Sequence, residues 1–314
     1  MGSVSEPAIL PGPAPQGRRG RRARVAAAFA VLLALVGYVA VQYLTGGPGA
    51  PRCQVGSGDN TYEFTPEQAS NAATISAVGT TKGMPERAVT IALATALQES
   101  ALRNIRHGDR DSLGLFQQRP SQGWGTPQQI LDPVYSAGKF YDGLAEVPGY
   151  SRMPLTVAAQ KVQKSGFPQA YAKHEPDATL LAAALTGRSA ASLTCTTSRG
   201  DGRPGDPVKL RAELVRDFGK GVLPGGGGTA GAPAAAPAEL SVPVRATAAD
   251  GVGSEARRGW ELAQWAVARA DVLRIEEVAY AGRVWRAKEA SDGWLKASEE
   301  RAGDFSQVRM RLAQ

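Results

Sequence analysis

Glu99 is the residue of this chain best placed to move a proton. It follows the run Ile91-Ala92-Leu93-Ala94-Thr95-Ala96-Leu97, which is apolar on nearly every face and so reads as a central buried helix. A carboxyl at the edge of such a helix is partly desolvated, and desolvation raises its pKa. The partial negative charge of a helix C-terminus acts in the same direction. A glutamic acid still protonated near neutrality can protonate a glycosidic oxygen. The loop that follows carries Phe116, Gln117, Gln118, Gln122 and Trp124. Planar amides and an indole face suit a sugar chain, so Gln118 and Trp124 join the candidate site; Trp124 reads equally well as core. Asp109 and Asp111 are the candidates for a second carboxylate. Held about 6.5–9.5 Å across a cleft from Glu99, either would position a water as an inverting base. The alternative for both is to order the loop through side-chain to backbone bonds.

Glu99-Ser100, followed by Ser112-Leu113-Gly114-Leu115-Phe116-Gln117, resembles the E-S…G-L-x-Q motif of lytic transglycosylases in the lysozyme-like superfamily. The wider QES…HGDRDSLGLFQQRPSQGWGT string is similar to that of a group of actinobacterial membrane-anchored surface proteins. The resemblance covers about Tyr62 to Gly187. It implies a helical lysozyme-like domain, with the β-1,4 MurNAc-GlcNAc glycan strands of peptidoglycan as substrate and partner. It also implies that Glu99 is the acid/base and that Ser112, Gly114 and Gln117 shape the sugar site. Where the family carries an A-Y-N type motif, this chain reads Ala158-Ala159-Gln160-Lys161-Val162-Gln163. Gln160 and Gln163 share one helical face and are the amides available there. With a second carboxylate the reaction is hydrolysis. Without one, Glu99 acts twice and the product is a 1,6-anhydro sugar. The other reading is a non-catalytic peptidoglycan-binding or scaffold module.

The elements that must position these residues are mostly helices. Thr65-Pro66-Glu67-Gln68 is a capping box with proline at the first helical position. Pro85 opens the helix of Glu99, and further helices are expected from Thr126-Pro127, Asp132-Pro133, Thr156, Asp177 and Pro207. Leu113 to Gln118 is expected to form a short hairpin or turn. Cys53 and Cys195, the only cysteines, bracket this region and pair as a disulfide in an oxidising setting. Beyond the Gly/Pro/Ala-rich stretch from Leu223 to Ala238, Trp260, Ala263, Ala266, Val267 and Ala270 recur at helical spacing. Val278 to Trp285 then suggests a hairpin turning at Ala281-Gly282, and Val308, Met310 and Leu312 alternate like a last strand.

The formal net charge is +7, but Arg18, Arg19, Arg21, Arg22 and Arg24, against Glu6, put most of it in the N-terminal tail. No basic stripe with interleaved aromatics follows, so nucleic-acid binding is not expected. His107 and His174 lack metal-ligand spacing, and no metal or cofactor is called for. Val25 to Leu44 is uncharged. Twenty helical residues span about 30 Å, the hydrocarbon thickness of a bilayer. With the arginines in front, the expectation is a single-pass anchor in the cell membrane, N-terminus cytoplasmic and bulk extracytoplasmic; a cleaved signal peptide and secretion is the alternative. The expected fold class is therefore mainly α: a single N-terminal transmembrane helix, an all-helical lysozyme-like domain, a flexible linker and a small α+β C-terminal domain. The expected boundaries are a disordered basic tail at 1–24, the anchor at 25–44 and the lysozyme-like domain at 53–195. A connector helix and linker occupy 196–239. The module at 240–314 is of unknown role, with a protein or a second wall component as its expected partner.

Overall fold

A computed structural model of the chain describes residues 24, 27–37, 50–164, 168–198, 202–223, 238–245, 254–297 and 305–314. Residues 1–49 form a unit of their own, whose described helix, α1, covers 27–37 and is exposed along its length. No helix among the described residues is long and apolar enough to cross a membrane. Eleven residues of α-helix rise only about 16 Å, half of what a bilayer requires. This corrects the expectation of a single-pass anchor through Val25 to Leu44, and with it the membrane topology that rested on it. The rest of that stretch, and the tail 1–23, lie outside the described residues.

Residues 50–314 form one compact unit. Its helical layer begins where the caps predict. Thr65 caps α2 (Pro66–Thr81) in a reciprocal box with Gln68, and Pro85 precedes α3 (Glu86–Ser100). Thr126 and Asp132 cap α4 (Pro127–Ile130) and α5 (Pro133–Ala145), each with proline in its first turn. α6 (Leu155–Gln163), α7 (Glu175–Leu185) and α8 (Pro207–Phe218) complete the layer. α3 is its centre. Every side chain from Ala88 to Leu97 is buried, and the helix packs against α2, α5, α6 and α7. A helix so enclosed has little freedom to shift, which fixes the groups at its C-terminal end.

The all-helical expectation for 53–195 is also corrected. β1 (Cys53–Ser57) and β2 (Asn60–Phe64) make a hairpin, and β3 (Leu193–Cys195) pairs antiparallel with β1 in the order β2-β1-β3. Strands this short fall below the length at which alternation can be read. They exist because the chain's entry and exit pair with each other, a contact with no local signal. Cys53 lies directly opposite Cys195 in that ladder, and the two form the disulfide. It closes a loop with a sequence separation of 142, for which the chain-entropy model gives a stabilisation of about 5 kcal/mol. Thermal unfolding with and without a thiol reductant is expected to show a clear fall in midpoint on reduction; an unchanged midpoint would count against this role.

The C-terminal region builds a five-stranded antiparallel sheet in the order β4-β8-β5-β6-β7 from β4 (Glu239–Pro243), β5 (Ile275–Tyr280), β6 (Arg283–Arg286), β7 (Leu295–Lys296) and β8 (Gln307–Leu312). β5 and β6 turn at Ala281-Gly282, and Val308, Met310 and Leu312 face inward. Helix α9 (Ser254–Ala268), followed by α10 (Ala270–Leu273), packs on this sheet and also on α2, α7 and β3. Trp260, Trp265, Trp285 and Trp294 are all buried. Two of them tie this sheet to the first: Trp285 Nε1 donates to Thr194 Oγ1 (3.1 Å) and Trp294 Nε1 to the Leu193 carbonyl (2.9 Å). The Gly/Pro/Ala stretch 224–237 and Arg199 to Asp201 lie outside the described residues.

A charged group is buried where α9 meets the helical layer. Asp217 Oδ2 accepts hydrogen bonds from Thr74 Oγ1 (3.0 Å), Trp265 Nε1 (2.8 Å) and Arg269 Nη1 (3.1 Å). Arg269 also pairs with Glu213. Asp217 and Arg269 are 2% and 6% exposed. Charges removed from water to that degree persist only when paired and hydrogen-bonded.

Candidate active site

Three segments converge on the end of α3. The first is the helix terminus itself. The Ala101 and Leu102 amides bond back to the Leu97 and Ala96 carbonyls (3.0 and 3.1 Å), and both residues adopt positive φ, 52° and 57°. The chain therefore turns sharply just after Glu99-Ser100. Ser100 is buried, and its hydroxyl donates to the Leu115 carbonyl (2.8 Å), pinning the helix end to the second segment.

That segment is a tight turn. Leu113 and Gln118 exchange both backbone hydrogen bonds (2.9 and 3.0 Å), the hairpin expected there. Gly114, at φ 75°, lies so close to the Ile130 carbonyl that a Cβ would approach it to 2.7 Å, so the requirement at this position is for backbone fit. Gln117 is half-buried at φ 47°, and its amide donates to the Gly114 carbonyl (3.1 Å). Ser112 is buried, with its N–H on the Asp109 carbonyl (3.0 Å). Gln118 is 2% exposed and donates to the Ser136 carbonyl (3.1 Å), bracing the turn against α5. Trp124 is half-buried, packs on the core, and accepts at its carbonyl from the Tyr135 hydroxyl.

The third segment is the end of α6 with the 3-10 helix Pro168–His174. Gln163 Nε2 donates to the Phe116 carbonyl (2.7 Å), and its side chain also reaches Glu99. Gln160 is half-buried one turn earlier. Tyr171 is fully buried and donates its hydroxyl hydrogen bond to Glu99 Oε1 at 2.7 Å. Sequence reasoning did not find Tyr171, because its partner is 72 residues away and no spacing rule connects them. Next to it, His174 Nε2 meets Gln98 Oε1 at 3.1 Å.

Burial raises the pKa of the half-buried Glu99 above the ordinary glutamate value, and the hydrogen bonds from Tyr171 and Gln163 offset part of that rise. Asp111 goes the other way. Arg119 Nε (2.8 Å) and the Ser121 amide (2.8 Å) hold its carboxylate well below the usual range, and its two oxygens are both engaged in ordering the loop. Asp109 is exposed and meets the rest of the loop through its backbone carbonyl. The structure thus brings Gln163 and Tyr171 to the Glu99 carboxyl, ties Ser100 to the turn that carries Gln117, and sets Asp111 and Gln118 in bracing positions. Among the described residues, no group of three His, Cys, Asp or Glu side chains is arranged to hold a metal. Neither the protein-family models nor the curated proteins compared with this chain match it, so its functional reading rests on this geometry and on the residues themselves.

Proposed function

We propose that this chain is a glycosidase of the lytic transglycosylase type, cleaving β-1,4 MurNAc-GlcNAc bonds of peptidoglycan with Glu99 as its single acid/base. The observation that carries the reading is the Glu99 carboxyl itself. It stands at the end of a helix buried from Ala88 to Leu97, raised in pKa by burial and hydrogen-bonded by Tyr171. The substrate class follows from the Glu99-Ser100…Gly114-Leu115-Phe116-Gln117 resemblance. Protonated Glu99 gives its proton to the glycosidic oxygen as the bond from C1 breaks and the GlcNAc alcohol leaves. The carboxylate that remains then takes the proton of the MurNAc 6-hydroxyl, whose oxygen closes on C1 to give the 1,6-anhydro ring. Each proton given is recovered in the second half, so no second carboxylate is needed. The engagement of both Asp111 oxygens by Arg119 and Ser121 supports this route over an inverting hydrolysis.

The test is the pH dependence of fragment release from purified glycan. The cleaving form is protonated at Glu99, so activity is expected to hold on the acid side and fall as pH rises through a pKa above the ordinary glutamate value of about 4.3. Tyr171→Phe removes a donor that favours the carboxylate, so its basic limb is expected to move to still higher pH. A limb at the ordinary value, unmoved by Tyr171→Phe, would contradict the assignment. The departure from the family's A-Y-N type motif at Ala158-Ala159-Gln160 favours a second reading, a glycan-binding module that does not cut. It predicts sedimentation with glycan and no fragments at any pH.

A further inference from the structure

Residues 103–110, which lead out of the Glu99 helix, carry Arg103, Arg106 and Arg110, all exposed. Their guanidinium groups make no ion pair or hydrogen bond among the described residues. Arg87, Arg119, Arg188 and Arg216, also in the helical layer, are each in an ion pair. Within the segment only Asp109 is available to offset the three cations, since the neighbouring Asp111 is taken by Arg119. The backbone beneath them is clamped. The Arg103 amide donates to the Ser100 carbonyl (3.2 Å), and the Gly114 amide to the Ile105 carbonyl (2.8 Å). Asn104 Nδ2 holds the Leu131 carbonyl (2.7 Å). Gly108 lies so tightly on Gln117 that a Cβ would come within 1.9 Å of its Oε1. The segment is therefore a clamped wall beside the Leu113–Gln118 turn, which itself is tied to Gln163 and Ser100.

Exposed, unpartnered cations on a clamped backbone that leads directly out of the Glu99 helix favour an anionic ligand. A guanidinium group presents a planar fork that fits a carboxylate in two parallel hydrogen bonds. The β-1,4 glycan backbone of peptidoglycan carries no charge along its sugar linkages; its carboxylates are on the peptide stems. We infer that Arg103, Arg106 and Arg110 form a docking surface for the stem carboxylates of the strand being cleaved, which makes this wall a specificity element for stem-bearing glycan. This inference rests on the glycosidase reading above for the identity of the ligand.

The full chain and its Arg103→Gln/Arg106→Gln/Arg110→Gln variant are compared on purified peptidoglycan and on the same peptidoglycan after its stem carboxylates have been converted to primary amides. Exposed ion pairs are individually weak. At low salt the variant is therefore expected to lose roughly tenfold in kcat/KM on glycan with free stem carboxylates, through KM with kcat kept. The two proteins should be equal on amidated strands. The parent's preference for free stem carboxylates should fade at about 1 M salt, where screening acts beyond roughly 3 Å. An equal loss on both substrates, or no loss on either, overturns the inference. So does a loss that follows removal of phosphate-bearing polymers instead of amidation of the stems. Sedimentation of the Glu99→Gln forms of both proteins with the two glycans separates this inference from the glycosidase reading. Carboxylate-dependent retention that the triple substitution removes supports the docking surface even where the parent releases no fragments; retention indifferent to amidation overturns it.

Discussion

Glu99→Gln is expected to abolish fragment release, a loss on the order of 10²–10⁴-fold, while the chain keeps its fold. The swap is nearly isosteric, and the amide can still accept the hydrogen bond that Tyr171 gives to Glu99 Oε1. What is lost is the transferable proton. The same substitution carries a second, opposite consequence for stability. Burial raises the folded-state pKa of Glu99 above its unfolded value. The stability contributed by its protonation is thus fully present below the unfolded value and lost as pH rises through the folded one. Glutamine has no such loss. The thermal midpoint of Glu99→Gln should therefore equal that of the parent in acid and exceed it at neutral and alkaline pH. Activity assays and melts across pH check both halves. Retained cleavage, or a variant less stable than the parent at pH 8, would remove Glu99 from the role.

Asp217→Ala is expected to destabilise residues 50–314 by about 3–5 kcal/mol. A unit of this size moves its midpoint by roughly 2–4 °C per kcal/mol, so the shift is on the order of 10 °C. The substitution removes the acceptor shared by Thr74, Trp265 and Arg269. It leaves a guanidinium group that is 6% exposed with Glu213 as its remaining carboxylate partner. The loss is one of a stranded charge, and its corollary is specific. Asp217→Leu combined with Arg269→Met should recover part of the deficit, because it removes the stranded guanidinium while the Trp265 N–H and the Thr74 hydroxyl still lack their acceptor. Denaturant titrations of the single and double variants measure the coupling. A single-variant loss below about 1 kcal/mol would mean that the network contributes little to joining α9 to α2 and α8.

Much of the helical layer was legible because its signals are local. Thr65 with Gln68, Thr126 with Pro127 and Asp132 with Pro133 announce helix starts within four residues, and the structure places caps at each. The enclosure of α3 follows from an apolar run with no polar face. The Leu113–Gln118 turn and the Ala281-Gly282 hairpin were likewise written in short segments. The pairing of Cys53 with Cys195 was expected from a lone cysteine pair in a region read as extracytoplasmic, but the β1–β3 ladder that aligns them was not, since three- and five-residue strands carry no period. The membrane span inferred from Val25 to Leu44 shows the converse. Composition over twenty residues was read as a continuous helix, and the described helix there covers only 27–37.

In the candidate site, the type and exposure of Glu99 followed from its own helix, whereas its orientation did not. Tyr171 and Gln163 reach it from segments more than sixty positions away in the chain, and Asp111 could be assigned to loop bracing only once Arg119 was seen beside it. Gln118 looked like a sugar-binding amide by type. Its burial against the Ser136 carbonyl comes from how the turn packs on α5, which no residue pattern encodes.

The central claim is that one carboxyl, Glu99, acts first as acid and then as base, and the masses of the products test it most directly. Purified peptidoglycan is incubated with the full chain and with its Glu99→Gln variant, and the soluble fragments are weighed. The account predicts 1,6-anhydro-MurNAc ends, each one water lighter than a reducing end, from the parent and none from the variant. Reducing ends from the parent would contradict it, because they require a second base to activate water.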